Sequence, residues 1–389
     1  MTIILADRMN QLGSETAFQM LAKAKALEAQ GREIIHLEIG EPDFPTLPNV
    51  IDRGTKAMLA GMTKYTPSPG LIEARQAIAD YIGRTRGYTV DPDEVVMTAG
   101  GKPIMFYSIL AVVDPGDEVI YPNPGFPIYE SVIKFSGGIP VPIPLREENE
   151  FRMDIDELES LITDKTKLII INSPQNPTGG MLTKDDLEKM AGIIGDRNIV
   201  ILSDEIYEKI VYDGKAFSIT SLPGMREKTI ILNGFSKTYA MTGWRAGYGV
   251  MPKNIAEHIT KLVINSTSCL AGFTQMACIE ALTGPQDEVR IRTEQFRIRR
   301  DHIVKGLNAI PGVKCQKPHG AFYAFPNMKA FGKTSSDMAD YLLNEAGVAT
   351  LGGSSFGIYG EGYLRISYAN SLENIEKAVE RIAEALKKL

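Results

Sequence analysis

Between residues 93 and 232 a short apolar run keeps returning: EVVMT (94–98), EVIYP (118–122), IPVPI (139–143), KLIII (167–171), NIVIL (198–202) and TIIL (229–232). Stretches with helical periodicity separate most of them. Runs this short and this continuously apolar must be buried on both faces, which a mainly parallel sheet clad in helices provides. The chain therefore reads as α/β, built from βαβ units. The intervening helix at 183–194 is well signalled, with Thr183 as its N-cap and Asp186 three residues on.

Outside that block the pattern changes. Residues 14–30, 50–60 and 71–86 have helical spacing, and 32–40 reads as a short strand running into the proline-rich loop GEPDFPTLP. After Gly284 comes a long polar helix, RIRTEQFRIRRDHIVKGLNAI (290–310). It is followed by GAFYAFP, a helix near 335–346, GVATLGG, YLRISYA and a terminal helix at 371–388. This suggests a second, smaller α+β domain. The expected division is 1–45 as an N-terminal arm and part of the small domain, 46–284 as the large cofactor-binding domain, and 285–389 as the small C-terminal domain.

A chain of 389 residues can bury a large core without disulfides or structural metals. Its net charge of −6 and pI near 5.5 argue against a nucleic-acid footprint. Cys269, Cys278 and Cys315 form no CxxC pair, and their odd number fits a reducing compartment. The four histidines have no metal-ligand spacing, so no metal site is expected. The apolar run in MTIILADRMN is too short for a signal-peptide core, and no stretch is long enough to span a bilayer. A cytoplasmic protein with no membrane partner is expected.

Open parallel sheets bind ligands beyond the carboxyl ends of their strands. Here those ends are followed by Ala99-Gly100-Gly101-Lys102-Pro103, by Asn172-Ser173-Pro174-Gln175-Asn176-Pro177-Thr178-Gly179, by Ser203-Asp204-Glu205, and by Asn233-Gly234-Phe235-Ser236-Lys237. Two glycines before a proline at a helix start suit a phosphate held on free N–H groups. Read alone, GGKP is as readily a plain strand-to-helix turn; it lacks the spacing of a P-loop. A lysine at a strand end is usually solvated. In a partly buried, cationic neighbourhood its pKa falls and it becomes an amine nucleophile. With Arg245 to meet a phosphate and Asp204 as a buried anion, Lys237 matches what pyridoxal phosphate requires.

The segments NSPQNPTGG (172–180), SDEIYEKIVYDG (203–214), NGFSKTYAMTGWRAGY (233–248) and YLRISYA (363–369) resemble the signature segments of class I aminotransferases, the fold-type I pyridoxal-phosphate enzymes. GEPDF (40–44), KYTPSPG (64–70) and GGK (100–102) extend the resemblance in order across nearly the whole chain. It implies a seven-stranded-type sheet and pyridoxal 5′-phosphate as cofactor. It makes Lys237 the Schiff-base lysine and proton carrier, and Asp204 the acid that keeps the pyridine nitrogen protonated. Asn176 and Tyr207 match the pair bonded to the phenolic oxygen. Gly101 and Lys102 (through backbone N–H), Ser236 and Arg245 match the phosphate cradle. Arg365 matches the arginine for the substrate α-carboxylate, helped by Asn176 and the backbone near Gly40. Tyr65 matches a tyrosine that reaches the phosphate from a partner subunit, which implies a homodimer with shared sites.

The prokaryotic aspartate aminotransferases are the branch most similar to this chain. They usually present a tryptophan over the cofactor ring, where NPGFPIY (123–129) places Phe126. Phe126 can stack but carries no indole N–H. Lys102 points the other way, since a lysine there can meet the distal carboxylate of aspartate; equally, it is a solvated helix-start lysine. Ser14 and Thr16 either line the same pocket or cap a helix. Taken singly, Asp204, Tyr207, Asn176 and Arg365 are each as readily a loop acid, a core tyrosine, a turn residue and an outward strand arginine. The expected reaction is ping-pong transamination between amino acids and 2-oxo acids, with aspartate or glutamate first and aromatic or neutral donors second. Other chemistry on the same cofactor, such as elimination, remains a rival. A transcription regulator is not expected, because the sequence shows no helix-turn-helix pattern and its pI is acidic, and GGSSF (352–356) does not fit a hydrolase elbow.

Overall fold

A computed structural model describes residues 3–389. Its strands, in chain order, are β1 (Ile35–His36), β2 (Val95–Thr98), β3 (Glu118–Asn123), β4 (Ile139–Pro144), β5 (Thr166–Asn172), β6 (Val200–Asp204), β7 (Thr229–Gly234), β8 (Gly247–Val250), β9 (Tyr323–Ala324), β10 (Val348–Ala349), β11 (Leu351–Gly352) and β12 (Leu364–Ser367). The main sheet has seven strands in the order β2-β8-β7-β6-β5-β3-β4. Strands β4, β3, β5, β6 and β7 are parallel to their neighbours, and only β8 runs against its own, β2 and β7.

All six apolar runs became strands of this sheet. The seventh, β8, carries no apolar signature: it reads Gly-Tyr-Gly-Val. The glycines are there because neighbours press on the strand. A Cβ on Gly247 would lie 2.4 Å from backbone atoms of Gly100 and Gly101, and one on Gly249 would lie 2.4 Å from Met251 Cε. β8 thus trades β propensity for close approach to the GGK turn.

The sheet is covered on both faces. One side packs Ile104, Met105, Ile133, Ile259 and Val263 from the helices Lys102–Val112, Ile128–Phe135 and Lys253–Ile264. The other packs Leu158, Leu187, Met190 and Ile194 onto Ile169, Ile171 and Ile201. Each such fully buried aliphatic side chain contributes about 1.5–3 kcal/mol relative to exposure. The helix Lys184–Ile194 opens on the expected capping box of Thr183 and Asp186.

A separate core joins Met20, Ala24, Ile34, Ile35 and Leu37 to residues between 296 and 386. β1 pairs in parallel with β10, and β12 lies antiparallel between β11 and β9. The expected strand at 32–40 shrinks to two residues, because the chain then bends into the GEPDF loop. The helix Asp287–Asn308, polar by sequence, buries Arg292, Arg299 and Arg300. Arg299 meets both carboxylate oxygens of Asp43 (2.7 and 2.8 Å) and stacks on Phe44, while Arg292 donates to the Pro45 carbonyl (2.8 Å). Those arginines hold the 40–45 loop in place over the sheet's edge. Among the described residues, no helix is long and apolar enough to cross a membrane.

Candidate active site

The carboxyl ends of β2, β5, β6 and β7 open into one cavity of about 530 Å³. Of the twelve residues assigned a role from the sequence, eleven line it: Gly40, Gly101, Lys102, Phe126, Asn176, Asp204, Tyr207, Ser236, Lys237, Arg245 and Arg365. Tyr65 does not. It is 90% exposed on the single chain.

Asp204 ends β6 and is 8% exposed. Its carboxylate accepts from the Tyr129 hydroxyl (2.6 Å) and the Ile206 N–H (3.2 Å). Burial outweighs both bonds and lifts the carboxyl to about 6. Lys237 follows β7 directly. Its Nζ donates to the Gly40 carbonyl, and burial, followed by the charge of Arg365, lowers it to about 8. About a tenth of this amine is therefore neutral and nucleophilic at pH 7, where an ordinary lysine would be almost wholly charged.

Arg365, on β12, is 5% exposed, so it is not an outward strand residue. Its guanidinium is sandwiched between Tyr323 (4.7 Å) and Phe356 (4.9 Å), and donates to Asn176 Oδ1 (3.2 Å) and the Glu38 carbonyl. Its Nε has no partner. Burial draws its pKa below the ordinary arginine value. The Tyr207 hydroxyl, itself buried, exchanges a 2.7 Å hydrogen bond with the Tyr323 hydroxyl. Asn176 is held by its own backbone N–H, which donates to Asn172 Oδ1 (2.9 Å).

The turn after β2 leaves its backbone open. Gly101 occupies the N-cap of the helix Lys102–Val112, Pro103 lies in its first turn, and no side chain caps it. Gly100 has φ +93°, and a Cβ there would lie 2.4 Å from Arg245 Nη2. Arg245 is anchored by donating to the Thr242 carbonyl (2.9 Å). Ser14 and Thr16 do neither of the things expected of them: the cavity is lined instead by Glu15, Ala17 and Phe18, and the helix Thr16–Glu28 has no side-chain cap. Glu15 forms an ion pair with Lys102, whose Nζ lies 5.5 Å from the Phe126 ring centroid.

Sequence reasoning missed Tyr129, Tyr323, Asn172 and Glu15 as site residues. Tyr129 and Asn172 stood inside segments already singled out: Asn172 ends β5, a usable signal, whereas Tyr129 lies in the helix Ile128–Phe135 that follows β3. Tyr323 explains Gly40: a Cβ on that glycine would lie 2.3 Å from the Tyr323 hydroxyl.

Residues 32–382 match the family profile of aminotransferases of class I and II. The chain is 42% identical over 391 aligned positions to an aspartate aminotransferase of Bacillus sp. (strain YM-2), covering 99% of each. It is 39% identical to aromatic-amino-acid aminotransferase 2 of Thermococcus litoralis, covering 98% of each. Among solved structures, the aspartate aminotransferase of Rhizobium meliloti superposes with a TM-score of 0.95 at 37% identity over 100% of both chains. The aromatic aminotransferase of Pyrococcus horikoshii does so with 0.89 at 40% identity, over 95% of this chain and 99% of that one. The profile match and the identity across the full length lead to one conclusion: the chain belongs to the class I and II aminotransferases.

Proposed function

We propose that this chain exchanges amino groups between an L-amino acid and a 2-oxo acid on pyridoxal 5′-phosphate, in a ping-pong cycle. Aspartate is the principal donor to 2-oxoglutarate, and glutamate the donor in the reverse direction. The observation that carries the reading is a buried lysine amine, lowered to about 8, in one cavity with a desolvated carboxylate and a buried arginine.

The residues fit the cofactor. Asp204 is a buried carboxylate with no cation hydrogen-bonded to it, which suits a protonated pyridine nitrogen. The uncapped helix start at Gly101, with Gly100 and Arg245 packed side to side, suits a phosphate. When bound, pyridoxal phosphate supplies an aldehyde and an electron-accepting ring.

Lys237 presents the amine that holds the cofactor. With the cofactor bound, Lys237 would also be the group positioned to take up and return the proton of the substrate's α-carbon. Asp204 keeps the ring nitrogen protonated, and Tyr129 orients Asp204. Tyr207 and Asn176 donate to the phenolic oxygen, and Phe126 stacks on the ring. Backbone N–H groups of Gly101 and Lys102, with Ser236 and Arg245, hold the phosphate, joined by Tyr65 of a second copy in a homodimer. Arg365, with Asn176 and the Gly40 backbone, grips the α-carboxylate in a planar, two-point contact that lysine cannot reproduce. The N-terminal 1–45 and C-terminal 285–389 segments act together as a small domain against the cofactor-binding residues 46–284, in a cytoplasmic enzyme.

Phe126 in place of a hydrogen-bonding indole favours a second range of donors, aromatic and other neutral amino acids. A screen of the twenty amino acids as donors to 2-oxoglutarate tests both. Stoichiometric glutamate formation is expected, highest with aspartate. Release of ammonia or pyruvate without amino exchange would refute transamination.

A further inference from the structure

The residue before the helix Thr16–Glu28 occupies the N-cap position, where a Ser, Thr, Asp or Asn oxygen ordinarily accepts from the first free N–H groups. Here the residue is Glu15. It makes no cap bond, although Ser14 and Thr16 flank it. Its carboxylate instead reaches across the fold to the Lys102 ammonium and lines the same cavity as Lys237 and Arg365. The helix start is left without a side-chain acceptor, and the carboxylate faces the cavity.

With Lys237 committed to the cofactor, Arg365 to an α-carboxylate and Arg245 to a phosphate, Lys102 is, among the described residues lining the cavity, the cation left for a second carboxylate. Glu15 already neutralises it. The wall around the pair is apolar, formed by Ala17, Phe18, Met105 and Phe126. A neutral side chain entering this space meets a closed, uncharged pair and hydrocarbon. An acidic side chain must draw Lys102 away from Glu15, or share it against the repulsion of a like charge.

Resting on the transamination reading above, we propose that Glu15 sets side-chain specificity by competing with the substrate's distal carboxylate for Lys102. It acts as an internal stand-in for an acidic substrate's side chain, and lowers the preference for dicarboxylates relative to neutral and aromatic substrates. The side chains of Lys102 and Glu15 are 49% and 20% exposed, and pairs of that kind are weak enough for a substrate to open. Both substrate classes are therefore admitted, and the pair tunes their ratio.

The test uses the cofactor-loaded enzyme and two non-reacting probes, succinate and butyrate, with dissociation constants from calorimetry. In Glu15→Gln the preference for succinate over butyrate should rise about three- to tenfold, the scale of removing one partly exposed like charge. The ratio of kcat/KM for aspartate over phenylalanine should rise in step. Lys102→Met alone should lower both ratios, since it removes the cation for which the two carboxylates compete. An unmoved ratio in Glu15→Gln, a move towards butyrate, or ratios unchanged by Lys102→Met would overturn the proposal. A wild-type enzyme that transaminates neither donor would overturn the proposed function along with it. An active enzyme with an unmoved ratio would overturn this inference alone.

Discussion

Asp204→Asn should make the cofactor-free protein more stable at pH 7 while abolishing most of its activity. The carboxyl rises from an ordinary 3.8 to about 6 because burial strips its water, and the Tyr129 and Ile206 bonds only partly compensate. At about 1.4 kcal/mol per pH unit, that rise corresponds to about 3 kcal/mol of destabilisation. The pH window follows from the direction of the shift. Below pH 3.8 the group is protonated whether the chain is folded or not, and contributes nothing. Between 3.8 and about 6 the folded chain keeps a proton that the unfolded chain has lost, so stability falls as pH rises. Above about 6 the cost is complete. Asparagine removes the charge but keeps one acceptor. It holds the Tyr129 bond and gives up the Ile206 bond, a loss of about 1 kcal/mol. The net gain is about 2 kcal/mol at pH 7; it vanishes between about pH 4 and 5, below which the variant is the less stable by up to the lost bond, about 1 kcal/mol. Urea unfolding followed by the fluorescence of Trp244, the single tryptophan, reads the difference at each pH. Turnover of the loaded variant should fall by about a hundredfold or more, as when one preorganised charge is removed from a reacting centre. A variant less stable than wild type at pH 7 by the same amount it loses at pH 4 would refute the desolvation argument.

Arg365→Lys should raise KM and lower kcat/KM by about thirtyfold for every α-carboxylate substrate, the equivalent of about 2 kcal/mol from a lost two-point, charge-assisted contact. An unchanged KM in steady-state assays would remove Arg365 from its assigned role. Gly100→Ala places a Cβ against Arg245 at a positive φ, so affinity for pyridoxal phosphate, titrated by absorbance, should fall about tenfold while circular dichroism stays the same. An unchanged affinity would argue that this turn does not hold the phosphate.

The parts of the fold that could be read from the sequence were those built from local periodicity. Runs such as KLIII can be satisfied only between two helical layers, and they became the strands β2 to β7. β8 escaped because Gly247 and Gly249 answer to steric pressure from Gly100, Gly101 and Met251, not to strand propensity. The helix Asp287–Asn308 looked polar because two of its buried arginines, Arg292 and Arg299, find their partners, Asp43, Phe44 and Pro45, some 250 residues earlier in the chain. The site divides along the same line. Lys237, Asp204, Asn176 and Arg245 stand at or near strand ends, where sheet geometry points to them. Tyr323 is tied to Tyr207 and Arg365, and Glu15 to Lys102, only by tertiary contact, and neither lies in a segment whose local pattern marks it. The roles of Ser14 and Thr16 were unreadable for the same reason: both suit a helix cap or the pocket, and only the fold shows that Glu15 between them faces the cavity.

The amine of Lys237 is the centre of this account. Borohydride reduction of the yellow, cofactor-loaded enzyme, followed by proteolysis and mass spectrometry, should place a reduced pyridoxyl group on the peptide containing residues 233–248, at Lys237. A loaded enzyme whose label falls on another lysine, or on none, would contradict it.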